Sequence, residues 1–170
     1  MRLSILIFGL LLSCQSSVVL AAESTSKTVF EQLKSLAGDW RSTKNNSSTV
    51  VNYKVIANGT SLIETWTMSP TRQSMTVYTM DGERLIAVHY CPQGNAPRLK
   101  FTHTDTGGAH HFLFFDGANL QEPSGSHEHA FWFMIDPEGV LTRSETYINN
   151  AAVYNPELNR GDKESFARMK

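Results

Sequence analysis

The spacing of hydrophobic and polar residues changes once along the chain, near residue 38. Before this point the apolar positions recur at three- and four-residue intervals, as on one face of a helix. These positions are Val29, Phe30, Leu33, Leu36 and Ala37. Thr28 and Glu31 form a capping-box pattern, and Gly38 provides a stop signal. The sequence therefore predicts one short helix over residues 28–37.

From residue 39 onward apolar and polar residues alternate with a period of two, which is typical of strands with one buried face. Asn58-Gly59 follows the first alternating run, 49–57, and Asp81-Gly82 separates 74–80 from 84–91. Both dipeptides favour tight turns between antiparallel strands. The other predicted strands cover residues 60–69, 98–105, 110–115, 127–136, 140–149 and 164–169.

This series of about nine or ten short strands joined by turns predicts an all-β protein. A barrel removes the exposed strand edges that an open sheet would leave. We therefore expect an antiparallel up-and-down β-barrel of the calycin-like type, with a short N-terminal helix and a single domain over residues 23–170.

The first 22 residues have a different character. Arg2 precedes an apolar run over 3–12, and small residues follow up to Ala21-Ala22. This is the order of a cleavable secretory signal, and the run is shorter than the roughly 20 residues of a membrane helix. We expect a periplasmic or secreted protein. Residues 11–14 also resemble a lipoprotein box, and lipidation of Cys14 would tether the domain to a membrane.

Charge and cysteine content narrow the choice of partners. Without Arg2 the chain has 14 basic and 16 acidic residues, and this near balance argues against nucleic acid or an anionic membrane as the partner. Cys14 belongs to the leader, so Cys91 has no second cysteine within the mature chain. Its thiol is expected to be buried, to bind a ligand, or to pair between chains. The oligomeric state stays open.

Several short motifs resemble known barrels. Residues 36–40 are similar to the entry of lipocalin-type barrels, in which a Gly-x-Trp, here Gly38 and Trp40, plugs the closed end. The motifs at 62–66, 78–85, 89–91, 94–98 and 127–129 resemble a bacterial family of small, often exported, calycin-like domains of unknown function. The resemblance covers most of residues 30–149 and implies a lipocalin- or nitrobindin-like barrel.

A haem cofactor is suggested only by this resemblance, since nitrobindin-like proteins bind haem. Arg41, Ser42 and Thr43 stand where those proteins have a glycine-rich continuation. A shared fold does not establish a shared function. The cofactor therefore stays unassigned.

Alternation along the strands selects candidate ligand-binding residues, because side chains two apart share a face. The residues that this rule turns inward are His89, Cys91, His103, His127, His129, Phe131 and Phe133. Imidazoles beside aromatic rings favour an interior pocket for a small, partly apolar molecule. The pairs His89/Cys91 and His127/His129 also offer four ligands to zinc, copper or haem iron, if their strands are neighbours.

Glu64 and Arg98 complete the candidate site. Glu64 lies on the apolar face of its strand, where an isolated carboxylate is costly to bury, and we expect Arg84, Arg98 or an inward histidine as its partner. Arg98 begins a strand, and it either binds a ligand carboxylate at the barrel mouth or fixes a loop.

The sequence contains no G-x-S-x-G, H-E-x-x-H or phosphate-loop motif. It therefore predicts a non-catalytic barrel that binds a small molecule. Three alternatives stay open: a metal or haem barrel, an enzyme that uses Glu64 with an interior histidine as acid and base, and a domain without a ligand.

Overall fold

The computed structural model describes residues 25–158 and 161–170. The predicted leader, its cleavage site and Cys14 lie outside these described residues. Within them a helix, α1 (Ser26–Ser35), precedes ten strands. The strands are β1 (Gly38–Ser42), β2 (Val50–Ile56), β3 (Ser61–Ser69), β4 (Arg72–Asp81), β5 (Arg84–Tyr90), β6 (Ala96–Thr104), β7 (His110–Ala118), β8 (Ser126–Ile135), β9 (Leu141–Asn149) and β10 (Asp162–Arg168).

Each strand pairs antiparallel with the next along the chain, and β10 pairs with β1 to close a barrel. The predicted class, an all-β antiparallel up-and-down barrel with a short N-terminal helix, is confirmed. Closure gives each described strand a partner on both sides, so the barrel has no free edge.

The helix begins earlier than its capping box predicts. Thr25 is the N-cap, and its hydroxyl accepts a hydrogen bond from the backbone N–H of Thr28 at 3.2 Å. Thr28 consequently lies within the first turn rather than before it. The buried face of α1 packs on the barrel through Val29, Phe30 and Leu33. Among the described residues, no helix is both long enough and apolar enough to cross a membrane.

Trp40 and Arg168 join α1 to the closed end of the barrel. The indole Nε1 of Trp40 donates to the carbonyl oxygen of Leu36 at 2.7 Å, and its side chain is 2% exposed. The Arg168 guanidinium lies 4.5 Å from the Trp40 ring and donates to the carbonyl oxygens of Ser35 and Ala37, which end the helix. The Gly-x-Trp motif therefore closes this end of the barrel.

Both predicted hairpins form, but one turn is displaced by one residue and the other is longer than two residues. Asp81 still pairs with Arg84, so Gly82 and Glu83 form the turn. At the other hairpin Ala57, Asn58 and Gly59 all have positive φ angles, and they form a short 3₁₀ turn instead of a two-residue turn. Both turn signals marked the hairpins correctly, and only the local backbone register differs.

Candidate functional site

The candidate site lies at the open end of the barrel, opposite α1. Two adjoining cavities of about 400 Å³ and 490 Å³ open there. The residues that line both cavities are Trp66, Glu145, Tyr147, Asp162 and Glu164. Because the two cavities share these walls, we treat them as one site, the mouth cavity.

Arg143 forms part of the wall of the mouth cavity and belongs to a buried polar network. It is 1% exposed, and its Nη1 donates to the Glu64 carboxylate at 2.9 Å and to the Tyr78 hydroxyl at 2.8 Å. Its Nε donates to Glu145 at 3.0 Å. Glu64, which is 0% exposed, also accepts hydrogen bonds from Tyr78 and from the indole of Trp66.

Arg143 is therefore the partner that the sequence requires for Glu64. The expected partners, Arg84, Arg98 and an interior histidine, were wrong: Arg84 pairs with Asp81 and Arg98 with Asp116, both on the surface. Burial alone would lower the pKa of Arg143, but Glu64 and the other nearby acidic groups outweigh it and raise the pKa. The guanidinium stays charged and also lies 4.2 Å from the Phe131 ring, a favourable cation–π contact.

A second buried group lies beside this network. The Glu128 Oε1 is 3.5 Å from Arg143 Nη2, and its Oε2 is 3.5 Å from His89 Nδ1. The His89 Nδ1 lies 3.0 Å from the Thr76 hydroxyl, and its Nε2 lies 3.3 Å from the Tyr147 hydroxyl. His89 is thus an interior residue, as predicted, and Tyr147 connects it to the mouth cavity.

Burial and nearby acidic groups act on two of these side chains, Glu128 and Tyr147. Burial raises the pKa of the Glu128 carboxyl well above its ordinary value, and Glu145 and Glu64 raise it further against the opposing effect of Arg143. Burial of the Tyr147 hydroxyl, together with Glu128 and Glu145, raises the pKa of that phenol. These surroundings favour the protonated form of Glu128 and of Tyr147.

The histidine pair of β8 does not join His89. A register shift between Glu128 and Ala130 interrupts the alternation, so that Glu128 lies opposite Tyr147 and His127 lies opposite Ile148. Since directly opposed residues share a face, Glu128 occupies the interior position that the period-two rule assigned to the histidines. The prediction of one pocket shared by His89, His127 and His129 was wrong for this reason.

His127 and His129 instead lie under the loop that follows β9. The His127 Nε2 is 2.9 Å from the His129 Nδ1, and its Nδ1 is 2.7 Å from the Asn150 side-chain oxygen. The ring of Tyr154 lies 4.6 Å from that of His129, and the ring of Phe114 lies 4.3 Å from that of His127. This group joins β7, β8 and the loop.

Acidification is expected to weaken the fold at this histidine pair. Burial and the neighbouring His127 lower the pKa of His129 to about 4, whereas a histidine in an unfolded chain titrates near about 6.5. The folded state binds this proton less tightly, so stability present above about pH 6.5 is lost as the pH falls toward 4. His129→Gln should reduce the fall in Tm between about pH 7 and pH 4.5 by about 2–4 °C.

Thermal unfolding over this pH range measures the effect. His103→Gln is the matched control, since His103 is exposed. Equal pH dependence of Tm in the wild type and in His129→Gln would contradict the prediction.

His103 and Arg98 lie outside the barrel. A register shift between Phe101 and His103 turns His103 away from the interior, where its ring stacks on that of His111 at 4.6 Å. The prediction that His103 faces inward was wrong because one extra residue reverses the face. Arg98 forms an exposed ion pair with Asp116 on the neighbouring strand β7, so it neither lines the mouth cavity nor fixes a loop through this contact.

The remaining candidates differ in their surroundings. Cys91 is 9% exposed and lines the mouth cavity. Phe131 and Phe133 are 2% and 1% exposed and belong to the hydrophobic core, where Phe131 stacks on Phe112 at 4.4 Å. Both rings belong to the part of the core that packs beneath the mouth cavity.

The four proposed metal ligands do not form one site. In the part of the chain that the structure describes, no three histidine, cysteine, aspartate or glutamate side chains are grouped closely enough to hold a metal ion. His89 and Cys91 lie near the mouth, whereas His127 and His129 contact each other and the loop after β9. The bulge in β8 explains the separation.

Sequence reasoning missed Arg143, Glu128 and Tyr147. A signal for two of them was present, because Leu141, Arg143, Glu145 and Tyr147 alternate on β9, and Leu141 marks their face as the buried one. Glu128 carried no such signal. The alternation of its neighbours in sequence assigns Glu128 to the outer face, and only the bulge in β8 turns it inward.

The fold and the site together define a class of molecule: a closed antiparallel β-barrel with one capped end and a buried polar network beside its open end. Comparison of the chain with models of protein families found no match, and comparison with curated proteins found no relative.

Proposed function

We propose that this chain is an exported, calycin-like barrel that binds a small, partly apolar molecule in the mouth cavity. The observation that carries the proposal is the mouth cavity itself, whose larger part has a volume of about 490 Å³. This volume lies in the range of small-molecule sites, which are concave and combine apolar walls with a few fixed polar groups.

The lining residues support this proposal. Trp66 and Met68 provide apolar surface, while Glu145 and Tyr147 provide polar groups on the same walls. Glu145 is held by Arg143, and Trp66 is held by Glu64. Groups that are already fixed lose little freedom when a ligand binds, which favours affinity.

The closed end supports the same function. Trp40, α1 and the hydrophobic core fill the barrel below the network. A molecule therefore enters and leaves at one end, as in a binding protein with a single opening. Export is proposed from the leader sequence and from the resemblance to exported calycin-like domains.

Filling the mouth cavity is expected to remove its ligand. Ser74 lines the cavity and lies opposite Trp66 on the neighbouring strand. The bulky side chain of Ser74→Trp should therefore reduce the occupancy of a co-purified molecule about tenfold, or ~1.4 kcal/mol of binding free energy. Met75→Trp is the matched control, because Met75 is the next residue on β4 and points to the opposite face.

Native mass spectrometry of protein isolated from the exported fraction measures both parts of the proposal. We expect a chain that begins near Glu23 and a bound molecule that is present in the wild type and in Met75→Trp but is lost in Ser74→Trp. Equal retention in both variants would place the ligand elsewhere. A chain that keeps its leader, or that begins at a lipidated Cys14, would refute the proposed soluble export.

A further inference from the structure

The mouth cavity has a buried acid behind its wall. Glu128 is 0% exposed, and its Oε2 has no hydrogen-bond partner among the described residues. A buried polar atom without a partner is uncommon and costs free energy, so its presence calls for an explanation. His89 Nδ1 lies 3.5 Å from this oxygen atom.

A continuous path leads from this atom to the cavity. The imidazole of His89 lies between Glu128 and Tyr147, with one ring nitrogen toward each, and the Tyr147 hydroxyl is 3.3 Å from Nε2. Tyr147 is 39% exposed and lines both parts of the mouth cavity. We propose that Glu128, His89 and Tyr147 form a proton relay that delivers a proton to an oxygen atom of a molecule bound in the mouth cavity.

The relay balances as three proton transfers without any change of oxidation state. The Glu128 carboxyl gives its proton to His89 Nδ1, and His89 Nε2 gives its proton to the Tyr147 oxygen. Tyr147 gives its own proton to an oxygen anion of the bound molecule, where a new O–H bond forms. The carboxylate left on Glu128 faces the Arg143 guanidinium, and solvent at the mouth returns the proton.

Thr76 supports the resting state that this relay needs. Its hydroxyl is 3.0 Å from His89 Nδ1 and donates to it in the neutral tautomer that carries the proton on Nε2. The carboxyl of Glu128 must approach Nδ1 by roughly 0.5 Å to reach ordinary hydrogen-bond length. Because Nδ1 has a single lone pair, the Thr76 hydroxyl holds the ring at rest and turns away from Nδ1 when Nδ1 accepts the Glu128 proton.

The surrounding charges favour a bound molecule that accepts a proton. The groups that face Glu128 are Glu64 from β3, His89 from β5, and Arg143 and Glu145 from β9. Cys91, Glu128, Glu145 and Arg143 all act electrostatically on the Tyr147 hydroxyl. The carboxylate that Glu128 leaves behind is stabilised by Arg143, so an enolate or a phenolate bound beside Tyr147 is driven toward its protonated form through the relay. This substrate class rests on the proposed function, since the cavity must hold a small molecule.

A chromophoric phenol, 4-nitrophenol, tests the relay because its phenol and phenolate forms differ in visible absorption. With excess wild-type protein, the pH midpoint of the bound probe should rise by about one unit, a tenfold change in its protonation constant. Tyr147→Phe and Glu128→Gln should both remove most of this rise. Tyr90→Phe is the matched control, because Tyr90 is 48% exposed at the end of β5, next in sequence to His89.

Carbon-13 NMR of the Glu128 side-chain carboxyl is the second measurement, and it requires no ligand. We expect the carboxyl to be protonated at neutral pH, and an ionised carboxyl there would overturn the relay. A probe that binds as the phenolate, or whose midpoint is unchanged by Glu128→Gln, would also overturn the relay but leave the binding function intact. A probe that fails to bind overturns the relay, while the co-purification experiment decides the binding function separately. Should Glu128→Gln fail to fold, the Tyr147→Phe variant decides the outcome, because Tyr147 is partly exposed in the wall of the mouth cavity.

Discussion

Replacing Arg143 by methionine is expected to lower the free energy of unfolding by about 3–5 kcal/mol, because the change leaves a buried carboxylate without its cation. Glu64 would keep its hydrogen bonds from Trp66 and Tyr78 but lose its positively charged partner. Methionine fills much of the same volume, so the loss reflects the unpaired charge more than an empty space. Urea unfolding, followed by tryptophan fluorescence, measures the difference.

The pH dependence of the free energy of unfolding distinguishes an unpaired charge in Arg143→Met from poor packing of the new side chain. Arg143 lowers the pKa of the buried Glu128 carboxyl, so in the variant the folded state binds the Glu128 proton still more tightly than the unfolded state does, and stability should fall as the pH rises above about 4. This fall should be steeper than in the wild type. Arg98→Met is the matched control, since Arg98 forms an exposed ion pair that solvent screens, and its loss should change stability little. A loss of similar size in both variants would contradict the buried network.

Replacing Trp40 by alanine is expected to cost about 3–5 kcal/mol, the range for removing a large buried aromatic side chain. The change removes the ring that packs under α1, the hydrogen bond to Leu36 and the surface on which Arg168 lies. Loss of the helix contacts should also expose Phe30 and Leu33. Both effects act on the closed end of the barrel.

Trp132→Ala is the matched control for this second experiment. Trp132 is half-buried, and Lys163 lies over its ring at 5.2 Å, but it does not belong to the hydrophobic core. Its loss should cost roughly 1 kcal/mol. If Trp40→Ala were no more damaging than Trp132→Ala in urea unfolding, the closed end would not depend on the Gly-x-Trp motif.

Local sequence signals predicted the elements of this fold well, because each element is set mainly by neighbouring residues. The period-two runs identified β2 to β10, whereas β1 was indicated only by the Gly-x-Trp resemblance, and Asp81-Gly82 marked a hairpin between β4 and β5. Thr25 and Thr28 show the limit of such signals. Both carry a hydroxyl that can cap a helix, and the backbone selected the earlier one.

Bulges account for the errors at the candidate site. A period-two rule extends a face assignment along a strand only while the pairing stays regular, and one extra residue reverses every later assignment. The shifts beside Thr102 in β6 and beside His129 in β8 turned His103 and His127 away from the interior. His89 lies on β5, whose described pairing has no such shift, and its inward position was predicted correctly.

The sequence alone determined the strand pattern, the antiparallel barrel, the helix that precedes it, and the requirement that Glu64 have a partner. Only the tertiary structure decided that this partner is Arg143, 79 residues away, and that Glu128 rather than a histidine faces His89. The physical reason is that ion pairs across a barrel depend on closure and on strand register, which the whole set of ten strands decides together. The spacing along any one strand does not contain that information.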